Sequence, residues 1–169
     1  MHHSLVRAWL VPAIAIASAL VSNVSLAQSM TERGAYLARI MDCGGCHTPG
    51  ALVGKPDHGR FLAGSSVGFF IPGLGYFFPP NLTPDTNTGL GTWSEDDIIR
   101  AVRTGVRPDG RILAPAMPWQ AYASLTDTDA RALARYLKRM KPISSAVPPL
   151  AGAEEVPKGP YLTVVAPKK

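Results

Sequence analysis

Two thiols and an imidazole stand together in Cys43-Gly44-Gly45-Cys46-His47. Each thiol can add across a vinyl group of a haem, and two intervening residues let one helical turn span both vinyls. The His that follows then turns its imidazole toward the iron as the proximal ligand. Three other chemistries use a similar pair. A redox Cys-x-x-Cys opens a helix after a strand, whereas here a predicted helix runs into the motif. Zinc needs four ligands, usually from a second Cys pair or a His pair, and beyond the N-terminal leader the sequence adds only His58. A bridge between Cys43 and Cys46 would close a small, strained loop. The motif holds both cysteines of the chain and predicts one covalently bound haem c.

An iron held by His47 has a sixth position to fill. The candidates are His58, Met30, Met41, Met117 and Met140. Met41 is too close to the motif to reach the opposite haem face, and Met30 sits at a helix start on the proximal side. Met140 suits the buried face of the last helix, where Met fills core. His58, alone beside a Gly, reads as a surface residue. Met117 lies far along the chain in Leu113-Ala114-Pro115-Ala116-Met117-Pro118-Trp119, and the flanking prolines fix the backbone that would present its thioether. Met117 is therefore the expected distal ligand. An iron with both axial positions taken has no room for substrate, which predicts an electron carrier rather than an enzyme. The alternative is a haem-based sensor or catalyst with an open sixth site. Trp93, Trp119 and Tyr122 either line the pocket or serve as ordinary core aromatics. Arg60, Arg103, Arg107 and Arg111 are the candidate partners of the haem propionates.

The elements that must position these residues are mostly helical. Ser29-Met30-Thr31-Glu32 is a capping box and opens a helix to about Met41. Gly34, Leu37, Ala38 and Met41 fall on one stripe. Ser94-Glu95-Asp96-Asp97 starts a second helix with acidic residues at its positive end, which stops near Gly105. Thr126-Asp127-Thr128-Asp129 starts a third, with Leu133, Leu137 and Met140 on one face, ended by Pro142. Residues 48–92 are rich in Gly and Pro and read as a long loop wrapped on the cofactor. No strand signal stands out. The cations of the last helix, Arg131, Arg135, Lys138 and Arg139, form a candidate docking face.

The chain has 169 residues, enough for one domain, and its 46% apolar content supports a core. Arg7, the apolar run Leu10–Val21 and Ser25-Leu26-Ala27 form the pattern of a cleaved secretory signal over 1–27. Removing it takes one Arg and no acid from a formal charge of +5, and two propionates lower the charge again. A mildly basic exported protein gives no footprint for nucleic acid. The expected organisation is a signal peptide at 1–27, a haem domain at 28–143 and a Pro-rich tail at 144–169, extended or loosely docked.

The order CxxCH, loop, helix, Met loop, last helix resembles the class I cytochrome c fold. Pro80-Asn81-Leu82-Thr83-Pro84-Asp85, Thr88-Gly89-Leu90-Gly91-Thr92-Trp93-Ser94, Arg103-Thr104-Gly105 and Met117-Pro118-Trp119 with Tyr122 resemble the cytochrome c domains of bacterial membrane-associated dehydrogenases for alcohols, aldehydes and sugar acids. The resemblance covers roughly residues 30–143. It implies an all-α cytochrome c-like fold of three to four helices and long loops around one covalent haem. It further implies thioether bonds from Cys43 and Cys46, iron ligation by His47 and Met117, and first and last helices that meet at Gly34 and Tyr136. The implied partners are a dehydrogenase as electron donor and an oxidase or other cytochrome as acceptor. The implied location is the periplasm, in association with a membrane-bound complex at the outer face of the inner membrane.

Overall fold

The computed structural model describes residues 29–167; the segment read as a signal peptide lies outside the described residues. Helix α1 covers residues 29–40, with Gly34, Leu37 and Ala38 buried along one face. Helix α5, Asp127–Arg139, buries Ala130, Ala132, Leu133, Ala134 and Leu137. The two cross at Gly34, where an added Cβ would collide with the Ala132 carbonyl and the Tyr136 Cβ. Hydrogen alone lets the backbones approach that closely. Exposed Arg33 of α1 pairs with Asp129 of α5 at 2.8 Å.

Helix α3, Glu95–Thr104, packs against α5. Its start is the capping box expected at Ser94, with Asp97 completing the reciprocal bond. Its end is Gly105 in the left-handed region, φ 74°, where a non-glycine residue is strained. Thr126 caps α5 by accepting from the Asp129 N–H. Leu37, Ala38, Leu90, Ile98, Leu133 and Leu137 form the centre of the apolar core.

Two shorter helices complete the set among the described residues. Helix α2 is Cys43–His47 and helix α4 is Trp119–Tyr122. The Cys motif thus forms its own short helix instead of ending α1. Asp42, left-handed at φ 52°, makes the break, a conformation that Asp tolerates better than most residues.

The all-α expectation needs correction: the molecule is mostly helical but carries a three-stranded sheet in the order β2-β1-β3. Strands β1, Gly68–Ile71, and β2, Gly75–Phe77, pair as an antiparallel hairpin with Phe70 opposite Tyr76. An aromatic run on either side of Pro72-Gly73 is a strand–turn–strand signal that helical periodicity does not detect. Strand β3, Tyr161–Leu162, joins β1 in parallel from the tail. On the hairpin's other side the tail forms a bridge from Ala151 to Tyr76. The tail is extended, as expected, and pairs along the hairpin. It covers both edges of the hairpin and so removes the unpaired edges that invite intermolecular pairing.

Candidate functional site

Cys43, Cys46 and His47 share one short helix, so their side chains emerge within a little over one turn. Both cysteines are free thiols. Burial pushes the Cys43 thiol up to about 11 and raises that of Cys46 as well. His47 is 7% exposed. Its Nδ1 lies 2.7 Å from the Pro80 carbonyl oxygen. A carbonyl only accepts, so Nδ1 carries the proton and donates it, leaving the Nε2 lone pair free for a metal. Burial also pulls the pKa of His47 down, which favours the neutral form a metal requires. Two free thiols beside a neutral imidazole with an open Nε2 form a donor set that fits covalent haem. Among the described residues, no three His, Cys, Asp or Glu side chains gather as a bare cation site.

The backbone around His47 is fixed from several sides. Its carbonyl accepts from the Gly64 N–H at 2.7 Å. The Thr48 hydroxyl accepts from the Leu62 N–H, and the Leu62 carbonyl accepts from the Leu82 N–H. Leu62 is completely buried and left-handed, φ 62°, a conformation that a bulky residue keeps only when its surroundings over-determine it.

Met117 lies on a different element, in a turn where its N–H donates to Ala114 O and its own carbonyl accepts from the Trp119 N–H. It is half-buried between exposed Pro115, Ala116 and Pro118. Two contacts connect this loop to the rest. Trp119 lies against Gly105 so closely that a Cβ there would come within 2.6 Å of its ring. Tyr122 donates its hydroxyl proton to the Met41 carbonyl at 2.7 Å, two residues before Cys43. Burial, with further contributions from Cys43 and Cys46, pushes the Tyr122 pKa up to about 12. The Met117 loop is therefore tied to the chain next to the Cys motif.

The remaining candidates separate by what they touch. His58 is exposed in a short 3-10 turn. Met30, Met41 and Met140 pack against the apolar core. Arg60 donates to Ser145 and Arg103 pairs with Asp127 at 2.6 Å. Arg107 stacks over the Trp93 ring and pairs with Asp109. Arg111, half-buried, has its pKa lowered by burial and by Arg107. The candidate docking face is reduced. Lys138 donates to the carbonyls of Leu90, Gly91 and Trp93, and Arg135 pairs with Glu95. Only Arg131 and Arg139 keep the exposure that such a face requires.

Three contributors had no role in the residue-by-residue reading, although all stand in the run Pro80 to Asp85 that carries the family resemblance. The Pro80 carbonyl is a main-chain atom, and no residue type announces it. Asn81 and Thr83, almost fully buried, read by residue type as loop polar residues.

A family model described as Cytochrome c matches residues 31–141. The cytochrome c subunit of a quinone alcohol dehydrogenase from Gluconobacter oxydans is 36% identical over 118 residues, 69% of this chain and 23% of that protein. The fructose dehydrogenase cytochrome subunit of Gluconobacter japonicus is 39% identical over 119 residues, 69% of this chain and 23% of its own. The gluconate 2-dehydrogenase cytochrome c subunit of Pantoea cypripedii is 37% identical over 119 residues, 70% of this chain and 25% of its own. The chain thus spans about a quarter of the length of these relatives.

Proposed function

The chain belongs to the cytochrome c family, and from that premise we propose that it is a periplasmic electron carrier with one haem c, His47 and Met117 ligating the iron. The haem, when bound, supplies a one-electron couple at its iron. The chain's residues do the rest. Cys43 and Cys46 hold the group covalently, His47 offers Nε2, and the Met117 loop brings a soft thioether that favours the ferrous state. The observation that carries the reading is the 2.7 Å bond from His47 Nδ1 to the Pro80 carbonyl, which orients a buried imidazole and leaves its other nitrogen for the metal.

Relatives described as cytochrome subunits of dehydrogenases support a dehydrogenase as the electron donor. A respiratory oxidase or another cytochrome is the proposed acceptor. The N-terminal signal pattern supports export, with docking at the outer face of the inner membrane. Among the described residues no helix is long and apolar enough to cross a membrane.

The test is spectroscopic, on protein isolated with its haem. Haem staining should survive a denaturing gel. The ferric protein should show the weak far-red band of a Met–iron bond, and the ferrous protein should resist carbon monoxide. A protein without the band that binds carbon monoxide at once would be a sensor or catalyst instead.

A further inference from the structure

We propose that the chain beyond the last helix, at Ile143 and Ser145, is a positioning element for the His47 imidazole. The inference rests on His47 being the proximal iron ligand. The family model's match ends at residue 141, two residues before Ile143.

The argument follows the hydrogen bonds outward from the ring. His47 Nδ1 donates to Pro80 O, so the strength of that bond depends on how firmly the Pro80 carbonyl is held. The residues on either side of it are anchored. The Pro79 carbonyl accepts from the Ser65 N–H at 3.0 Å. Asn81 is 1% exposed, and both ends of its amide are engaged. Its Oδ1 accepts from the Thr83 N–H and hydroxyl. Its Nδ2 donates to the Thr88 hydroxyl and, at 2.7 Å, to the Ile143 carbonyl. The tail answers in both directions. The Ile143 N–H donates to Thr83 Oγ1, and the Ser145 N–H donates to Thr88 Oγ1 at 2.9 Å. Ser145 Oγ in turn accepts from Arg60 Nη2 at 2.7 Å. A continuous chain of directional bonds therefore leads from the tail to the peptide whose carbonyl holds the ring. Buried networks of this kind fix geometry because every alternative leaves a polar group unpaired.

The consequence for the iron has a definite sign. A strong Nδ1–H to carbonyl bond makes the imidazole a better donor, and a better donor favours the ferric state. Loosening the tail should weaken the bond and shift the couple toward ferrous.

The test uses the full chain with haem attached and three substitutions. Asn81→Ala cuts the network on the loop side. Ser145→Pro removes the tail's N–H donor to Thr88. Tyr161→Ala alters the tail farther along and leaves the network whole. The readouts are the one-electron reduction potential and the hydrogen-exchange rate of the His47 Nδ1 proton in the nuclear magnetic resonance spectrum. Asn81→Ala and Ser145→Pro should shift the couple toward ferrous by three- to tenfold, roughly 30 to 60 mV for one electron, and should speed the proton's exchange. Tyr161→Ala should change neither. Wild-type potential and exchange in Ser145→Pro and Asn81→Ala would overturn the proposal. If Asn81→Ala does not yield haem protein, Thr88→Val, which removes the acceptor of both Asn81 and Ser145, decides in its place by the same two readouts. A protein that keeps the far-red band but shows no shift in the variants rejects only the tail's role. An iron not bound by His47 in the wild type overturns both readings.

Discussion

The molecule buries different material in two regions. Helices α1, α3 and α5 meet through Leu37, Ala38, Ile98, Ala101, Leu133 and Leu137, all hydrocarbon. The loop from His47 to Thr83 buries Leu62, Ala63, Val67, Tyr76 and Phe78, and together with the tail it also holds the buried polar side chains among the described residues: His47, Thr48, Ser65, Asn81, Thr83 and Ser145. None of the buried side-chain nitrogens or oxygens described lacks a partner. Hydrophobic burial is non-directional and sets how far apart helices lie. Hydrogen bonds are directional and set where one atom points. A helical frame thus supplies most of the cohesion, while a polar mesh aims one imidazole.

The largest effect should come from removing the two thiols proposed to hold the haem. Cys43→Ala with Cys46→Ala is expected to abolish haem staining on a denaturing gel and to leave no cooperative thermal transition by circular dichroism. A double variant with a native-like melt would mean that the frame folds without the group, which breaks the comparison.

Next comes Met117→Ala, outside both regions. The far-red band should vanish, the potential should fall, and cyanide and carbon monoxide should bind, with the haem still attached. Met30→Leu and Met140→Leu should keep the band.

Gly34→Val tests the frame alone. With the Ala132 carbonyl and Tyr136 in the way, overpacking should cost about 1–3 kcal/mol, read by denaturant unfolding, with the reduction potential unchanged. A change in potential would show that the two regions are coupled through α1.

Lys138→Met tests a staple between the frame and the segment just before α3. Lys138 of α5 holds three loop carbonyls, the shortest at 2.7 Å. Their loss should lower stability by about 1–2 kcal/mol, again by denaturant unfolding.

The smallest effect belongs to Asp129→Asn. The bond from Arg33 holds the Asp129 carboxyl below its ordinary pKa. Its contribution is therefore complete above the unfolded carboxylate's pKa and lost as pH falls through the lower folded value. The variant should melt slightly below the wild type at neutral pH and together with it in strong acid. A gap that persists in acid would assign the effect to packing.

The same contrast governs what the sequence made legible. The frame could be read because its signals are local: Ser94 with Asp97, Thr126 with Asp129, and a period of 3.6 through Leu37 and Ala38 or Leu133 and Leu137. Met117 stood out by its prolines, and the Cys motif by its spacing. The mesh was hidden for physical reasons. Ile143 bonds Asn81 across 62 residues and Ser145 bonds Arg60 across 85, so neither partner is visible from the other's neighbourhood. Phe69, Phe70, Tyr76 and Phe77 carried a strand signal that was absorbed into a loop by its Gly and Pro content. The docking face failed at Lys138 because a Lys in the last turn of a helix looks the same whether it meets water or three carbonyls.

The far reach of the tail also has a consequence in time. A chain made from its N-terminus presents Cys43 to His47 early, the hairpin later, and residues 143–162 last. Contacts across so many residues must wait for that final segment and are slow to close. During this interval the hairpin has both edges open and the Asn81 side chain lacks its Ile143 partner. Closing of the tail then covers both hairpin edges, after which they are no longer open to a neighbouring molecule.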